Sequence, residues 1–80
     1  MKPIRFTRRS RRHRIGKASA RQVVATIPAT VSTDPSTGAE ILTWIGTDER
    51  GRELEIVALD RPDCLLVIHV MPTHYRRNKP

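Results

Sequence analysis

The chain has 80 residues, with 15 Lys+Arg against 8 Asp+Glu and a formal net charge of +7. That length excludes more than one domain and allows only a modest core. The single cysteine, Cys64, excludes an internal disulfide and fits a reducing compartment. The longest apolar run, residues 64–70, is far too short to span a bilayer, and no apolar run follows the basic N-terminus, so neither a membrane anchor nor a signal peptide is expected. The reading is a soluble, cytoplasmic protein.

The charge is segregated. Residues 1–21 carry nine cations and no acid, residues 22–63 have a net charge of −5, and residues 64–80 add three cations. Twelve of the 15 cations are arginine, whose planar fork matches phosphate oxygens bidentately. A small, strongly basic chain of this kind points to a polyanionic partner.

In chain order, residues 7–14 lack a helix breaker and predict one or two helical turns with Thr7 as N-cap. Ser19 is a second N-cap candidate for a helix over 20–27, with Val23, Val24 and Ile27 as its apolar stripe and Pro28 as its stop. Residues 29–33 suggest a short edge strand, and Asp34-Pro35-Ser36-Thr37-Gly38 reads as a turn. Three strands follow: AEILTWIG at 39–46, ELEIVAL at 53–59 and CLLVIHVM at 64–71. The polar stretches 47–52 and 60–63 supply their turns. The fold class is therefore α+β: one or two N-terminal helices packed on a three- to four-stranded antiparallel sheet, as a single domain over 1–80. Residues 1–14 are expected to form a basic segment, mobile when free and ordered by a partner, and residues 77–80 a frayed tail.

Pairing Thr47 with Arg52 sets Ile41, Thr43 and Ile45 against Ala58, Ile56 and Leu54 as the helix-facing side. On the last strand Leu66, Ile68 and Val70 suit the core, and His69 falls on the open face with Leu65 and Val67. That parity requires a bulge or a five-residue turn near Pro62. Glu55 then lies across from His69.

The chain has no phosphate-binding glycine loop, no Cys-x-x-Cys, no His-Glu-x-x-His and no nucleophile elbow, and His13, His69 and His74 lack metal-ligand spacing. Metal and cofactor are not expected. The remaining residue types suit metal-free RNA cleavage, which needs a base for the 2′-hydroxyl, an acid for the leaving oxygen and cations for the added charge. The catalytic candidates are His69, His74, Glu55 and Arg76, with Glu55 orienting the imidazole. Arg8, Arg9, Arg11, Arg12, Arg14 and Arg77 are candidates for binding RNA. Blander readings exist for each. A histidine in an apolar strand is often a packed residue, Glu53 and Glu55 fit a solvated strand face, and an arginine-rich arm can simply confer solubility.

Residues 44–76 resemble the C-terminal half of small BrnT-like proteins, part of the RelE-like toxin superfamily. The matching pieces are Gly-Arg-Glu-Leu-Glu-Ile at 51–56, Leu-Leu-Val-Ile-His-Val at 65–70 and Met-Pro-Thr-His-Tyr-Arg at 71–76. Residues 6–12 resemble the family's opening helix, although Arg9 stands where a histidine is usual and His13 follows a turn later. The resemblance implies the toxin of a type II toxin–antitoxin pair, a cofactor-free endoribonuclease acting on RNA, on or off the ribosome, and neutralised by a small cognate antitoxin. Two other readings stay open: a non-catalytic RNA- or DNA-binding module, and a partner of an acidic protein.

Overall fold

The computed structural model describes residues 2–77. Its elements are β1 (Ile4–Phe6), a 3₁₀ turn (Arg9–Arg11), α1 (Lys17–Thr26), β2 (Thr30–Thr33), β3 (Glu40–Thr47), β4 (Glu53–Asp60), β5 (Leu65–Pro72) and a short α2 (Thr73–Arg77). The strands form one sheet in the order β1-β5-β4-β3-β2. β1 runs parallel to β5, and every other neighbouring pair is antiparallel.

This corrects the expected architecture. The sheet has five strands and is mixed, whereas three or four antiparallel strands behind one or two N-terminal helices were expected. The N-terminus opens as a strand, and residues 7–14 contribute only a 3₁₀ turn, leaving α1 as the one full-length helix. A three-residue strand shows no alternation to read, and its partner lies some sixty positions away at Leu65, Leu66 and Val67. Two backbone bonds bracket it: the Leu65 amide donates to the Pro3 carbonyl at 2.9 Å, and the Thr7 amide donates to the Val67 carbonyl at 3.0 Å.

One sheet face carries α1. Ala20 and Val23 pack there with Ile15, Trp44, Leu54, Ile56, Ala58, Val67 and Val70. The helix begins at Lys17 behind Gly16, three residues ahead of the expected start at residue 20. Ser19, expected as its cap, is instead buried inside it and donates its hydroxyl to Glu49 Oε1 at 2.7 Å. At the other end the Ile27 amide still reaches the Val23 carbonyl, and Pro28, which has no amide hydrogen, ends the helix.

The β3–β4 register differs by one residue from the expected one. Thr47 pairs with Glu53, and Trp44 pairs with Ile56. The cause is the turn. Asp48 and Arg52 close it, with the Asp48 amide donating to the Arg52 carbonyl, and Gly51 takes the left-handed conformation at φ 78°. Asp48 stabilises this loop by accepting the amides of Arg50 and Arg52, both at 2.9 Å. A shift of one residue reverses both faces. Trp44 therefore turns inward, 4% exposed, while Ile45 turns out, 50% exposed. Gly46 lies under α1, where a Cβ would stand 2.6 Å from Ile27 Cγ1. The helix therefore approaches the sheet closely at a residue without a side chain.

β5 carries the irregularity that the parity argument required, but within the strand. His69 pairs with Val57 and Val67 with Ala58, so Ile68 is an extra residue. Past the bulge, Val67 lies in the core, and Leu65 packs against it, where Leu66 and Ile68 were expected. His69 stays on the face away from α1.

Candidate active site

The residues between β1 and α1 repeat with a period of three: Thr7-Arg8-Arg9, Ser10-Arg11-Arg12, His13-Arg14. A 3₁₀ helix has three residues per turn, so each position of that repeat forms one face. The 3₁₀ helix spans Arg9–Arg11, and i to i+3 amide bonds run from Ser10 to Thr7, Arg11 to Arg8, Arg12 to Arg9 and Arg14 to Arg11, where the backbone turns left-handed at Arg14, φ 59°. Thr7 also accepts the Ser10 amide on its hydroxyl at 3.2 Å, but the residue that caps the turn is Arg8, where Thr7 was expected. Thr7, Ser10 and His13 face the protein, with Ser10 only 2% exposed. Arg9 and Arg12 form the second face and Arg8 and Arg11 the third, with Arg14 beyond the turn in a left-handed conformation; all five are exposed.

The second face borders a cleft of about 180 Å³ lined by Arg9, Arg12, His13, Ile68, His69, Met71 and Tyr75. Three pieces of chain build it. Where β1 stops pairing, the 3₁₀ turn lies along β5. The bulge at Ile68 opens the strand beside it, and α2 brings Tyr75 from beyond the strand's end. Stretches far apart in sequence thereby share one site.

His69 Nε2 lies 3.2 Å from Glu55 Oε1, with the histidine side chain 35% exposed and the glutamate 15%. Glu55 pairs with Met71 and reaches His69 as the diagonal neighbour on the same face. The carboxylate–imidazole contact expected from the sequence thus forms through a different register. The His13 ring stands edge-on to His69 with centroids 6.5 Å apart, and edge-on to Tyr75 at 5.4 Å. Two imidazoles, a phenol and two guanidiniums therefore line one recess, and a carboxylate backs one of the imidazoles.

Of the residues singled out in the sequence, the fold brings together His69, Glu55, Arg9 and Arg12. His74 lines a different recess with Gly51, Arg52, Glu53 and Thr73, although its ring touches Tyr75 at 4.6 Å. Arg8, Arg11 and Arg14 are exposed and are not among the cleft's lining residues. The backbone of Arg76 and Arg77 belongs to α2; their side chains, like residues 78–80, lie outside the described residues. His13 and Tyr75 were not among the candidates. The three-residue period was the signal for His13, since it aligns His13 with Thr7 and Ser10 on the inward face.

The charges at the β3–β4 turn are arranged differently. Arg52 NH2 lies 2.8 Å from Asp48 Oδ2, whose side chain is fully buried, and also donates to Ser19 Oγ at 3.3 Å. Burial opposes the charge on Asp48, but hydrogen bonds from the Arg52 backbone and guanidinium and from the Arg50 amide outweigh it and hold its carboxyl below the ordinary value. Glu49 is lowered first by the Ser19 hydroxyl, and Asp34 first by the Ser36 amide.

Among the described residues, no three His, Cys, Asp or Glu side chains cluster as a metal site, and no helix is long and apolar enough to cross a membrane. Comparison with protein-family models, with curated proteins and with solved structures returns no match.

Proposed function

We propose that the protein is a metal-independent endoribonuclease whose active site is the cleft beside the β5 bulge. The observation that carries this reading is the convergence of His69, backed by Glu55, with His13, Arg9 and Arg12 around one recess. Cleavage by an internal hydroxyl needs a base and an acid on opposite sides of one phosphorus, plus cations for the charge that builds on its oxygens. His69 takes the proton of the 2′-hydroxyl. The freed oxygen forms a bond to the adjacent phosphorus as the bond to the 5′-oxygen breaks. His13 gives that departing oxygen its proton. Glu55 orients His69 and stabilises the imidazolium formed when it accepts the proton, as an acid does behind a catalytic histidine. Arg9 and Arg12 hold the phosphate oxygens. Tyr75 positions His13 through their edge-on contact. The products are a 2′,3′-cyclic phosphate and a 5′-hydroxyl.

The biological setting, a growth-inhibiting toxin held in check by a small antitoxin, rests on the resemblance of residues 44–76 alone. Its test is arrest of growth on induced expression and release by a co-encoded partner.

The enzymatic reading is tested with purified protein and RNA in EDTA. Cleavage is expected, and His69→Ala and His13→Ala are each expected to slow it by about 10²–10⁴-fold while RNA is still bound. Intact RNA with tight, salt-sensitive binding would overturn the enzymatic reading in favour of a non-catalytic RNA-binding module.

A further inference from the structure

We propose that the groove between α1 and the β1 edge of the sheet is a binding site for a small apolar carboxylate, of the size of a medium-chain fatty acid, with its head group on Arg21. The groove lies on the α1 face and His69 on the other, so the proposal is independent of the nuclease reading.

The groove has a volume of about 490 Å³, within the range of small-molecule sites. Ile4 and Leu65, which pair directly across β1 and β5, line it together with Trp44 of β3. The opposite wall is helical. Arg21, Val24 and Ala25 recur at i, i+3 and i+4, so one stripe of α1 borders the groove while Ala20 and Val23 pack in the core. Ala25 and Ala29 have short side chains, which leaves space that a larger residue would fill. Apart from Arg21, Lys2 and the indole of Trp44, no lining side chain can form a hydrogen bond. A sugar or a nucleobase would bury polar groups without partners there, whereas an alkyl chain would not.

The cations give the groove a direction. Ile4 and Phe6 stand two residues apart on β1 and share one side of it. Over the Phe6 ring, the Arg21 guanidinium carbon lies 5.6 Å and Lys17 Nζ 5.7 Å from the centroid. Two positive charges are therefore held at one ring, and one of them also lines the groove. Toward the other end, the Lys2 ammonium is bound to Asp60 and donates to the Arg61 carbonyl at 2.9 Å. The field favours an anion at the Phe6 end, and the apolar walls favour an apolar body behind it. A carboxylate fits the planar fork of Arg21.

The test titrates the full chain with hexanoate, octanoate and decanoate at neutral pH, below micelle-forming concentrations. Trp44, the one tryptophan in the chain, reports binding by its fluorescence, and calorimetry gives the affinities. Affinity is expected to rise about fourfold with each added methylene buried. Decanol, which lacks the charge, is expected to bind about tenfold more weakly than decanoate. Arg21→Gln, at an exposed position, is expected to remove that preference and keep the dependence on chain length. Ala25→Phe, which fills the groove from an exposed helical position, is expected to abolish binding of every ligand in the series. Affinity that does not grow with chain length, or an undiminished preference for decanoate in Arg21→Gln, would overturn the proposal. Equal binding by the parent and a folded Ala25→Phe would overturn it by assigning the carboxylate to the basic surface. Self-association of the ligand-free chain that Ala25→Phe abolishes, seen by sedimentation, would overturn it in favour of a second copy seated in the groove.

Discussion

Arg52 and the arginines of the 3₁₀ turn are the same residue type in opposite circumstances. Arg52 reaches a buried carboxylate and a buried serine, and with them fixes the β3–β4 turn and ties it to α1. Arg8, Arg9, Arg11, Arg12 and Arg14 stand exposed on a segment without a single acid. The first arrangement uses charge to specify a fold. The second leaves charge available to a ligand. Net charge alone does not distinguish them, whereas the placement of acids relative to arginines does. In sequence the chain places its eight acids between residues 34 and 63, among them Glu55, which orients His69, and none within residues 1–21 where the arginines of the 3₁₀ turn lie.

Changing each group in turn tests that contrast. The largest effect is expected from R9A/R12A, which removes both cations from the cleft and slows RNA cleavage by about 10²-fold or more in single-turnover assays. Its thermal stability should stay within about 0.5 kcal/mol of the parent, because both side chains are exposed. The reverse is expected of Asp48→Ala, which strips two amides and a guanidinium of their acceptor and costs about 2–3 kcal/mol in denaturant unfolding. The folded protein that remains should cleave normally.

Acid dependence follows from the same residue. Because its carboxyl is lowered in the folded state, the unfolded chain binds a proton first as pH falls. The stability it contributes is complete above the ordinary carboxylate range and is lost as pH drops through and below it. Asp48→Asn should flatten that limb in pH-dependent melts. The smallest effect is expected from His74→Ala, with cleavage changed by no more than a few-fold, about 1 kcal/mol or less, since the ring lies outside the cleft and touches only its border at Tyr75.

The strands and turns were legible in the sequence because alternation, Pro and Gly mark them locally. The three long strands lie within a residue of their expected starts. The inward face of β4 was legible too, with Leu54, Ile56 and Ala58 in the core as expected, but that of β3 was not, and that of β5 only in part. The turn at Gly51 is one residue different in its closing pair, and that alone exchanges Trp44 with Ile45 across the sheet. Gly46 held a clue, since a glycine within an apolar strand often marks a close backbone approach, here by α1 at Ile27. The site divides in the same way. His69 and Glu55 were readable as a pair because they sit on neighbouring strands. His13 was not, because it reaches the cleft through a three-residue parallel strand whose partner is settled only when the whole sheet closes. Even so, the pairing of β1 with β5 decides the site, for it lays the arginine repeat along the one strand that bulges.

The account stands or falls on whether that bulge holds a working acid and base. The most direct measurement is end-group analysis of RNA incubated with the purified protein in EDTA, alongside His69→Ala at the same concentration. The account predicts fragments ending in 2′,3′-cyclic phosphate and beginning with 5′-hydroxyl, and at most about a hundredth of that yield from the variant. Fragments with 5′-phosphate ends, or equal yields from the two proteins, would contradict it.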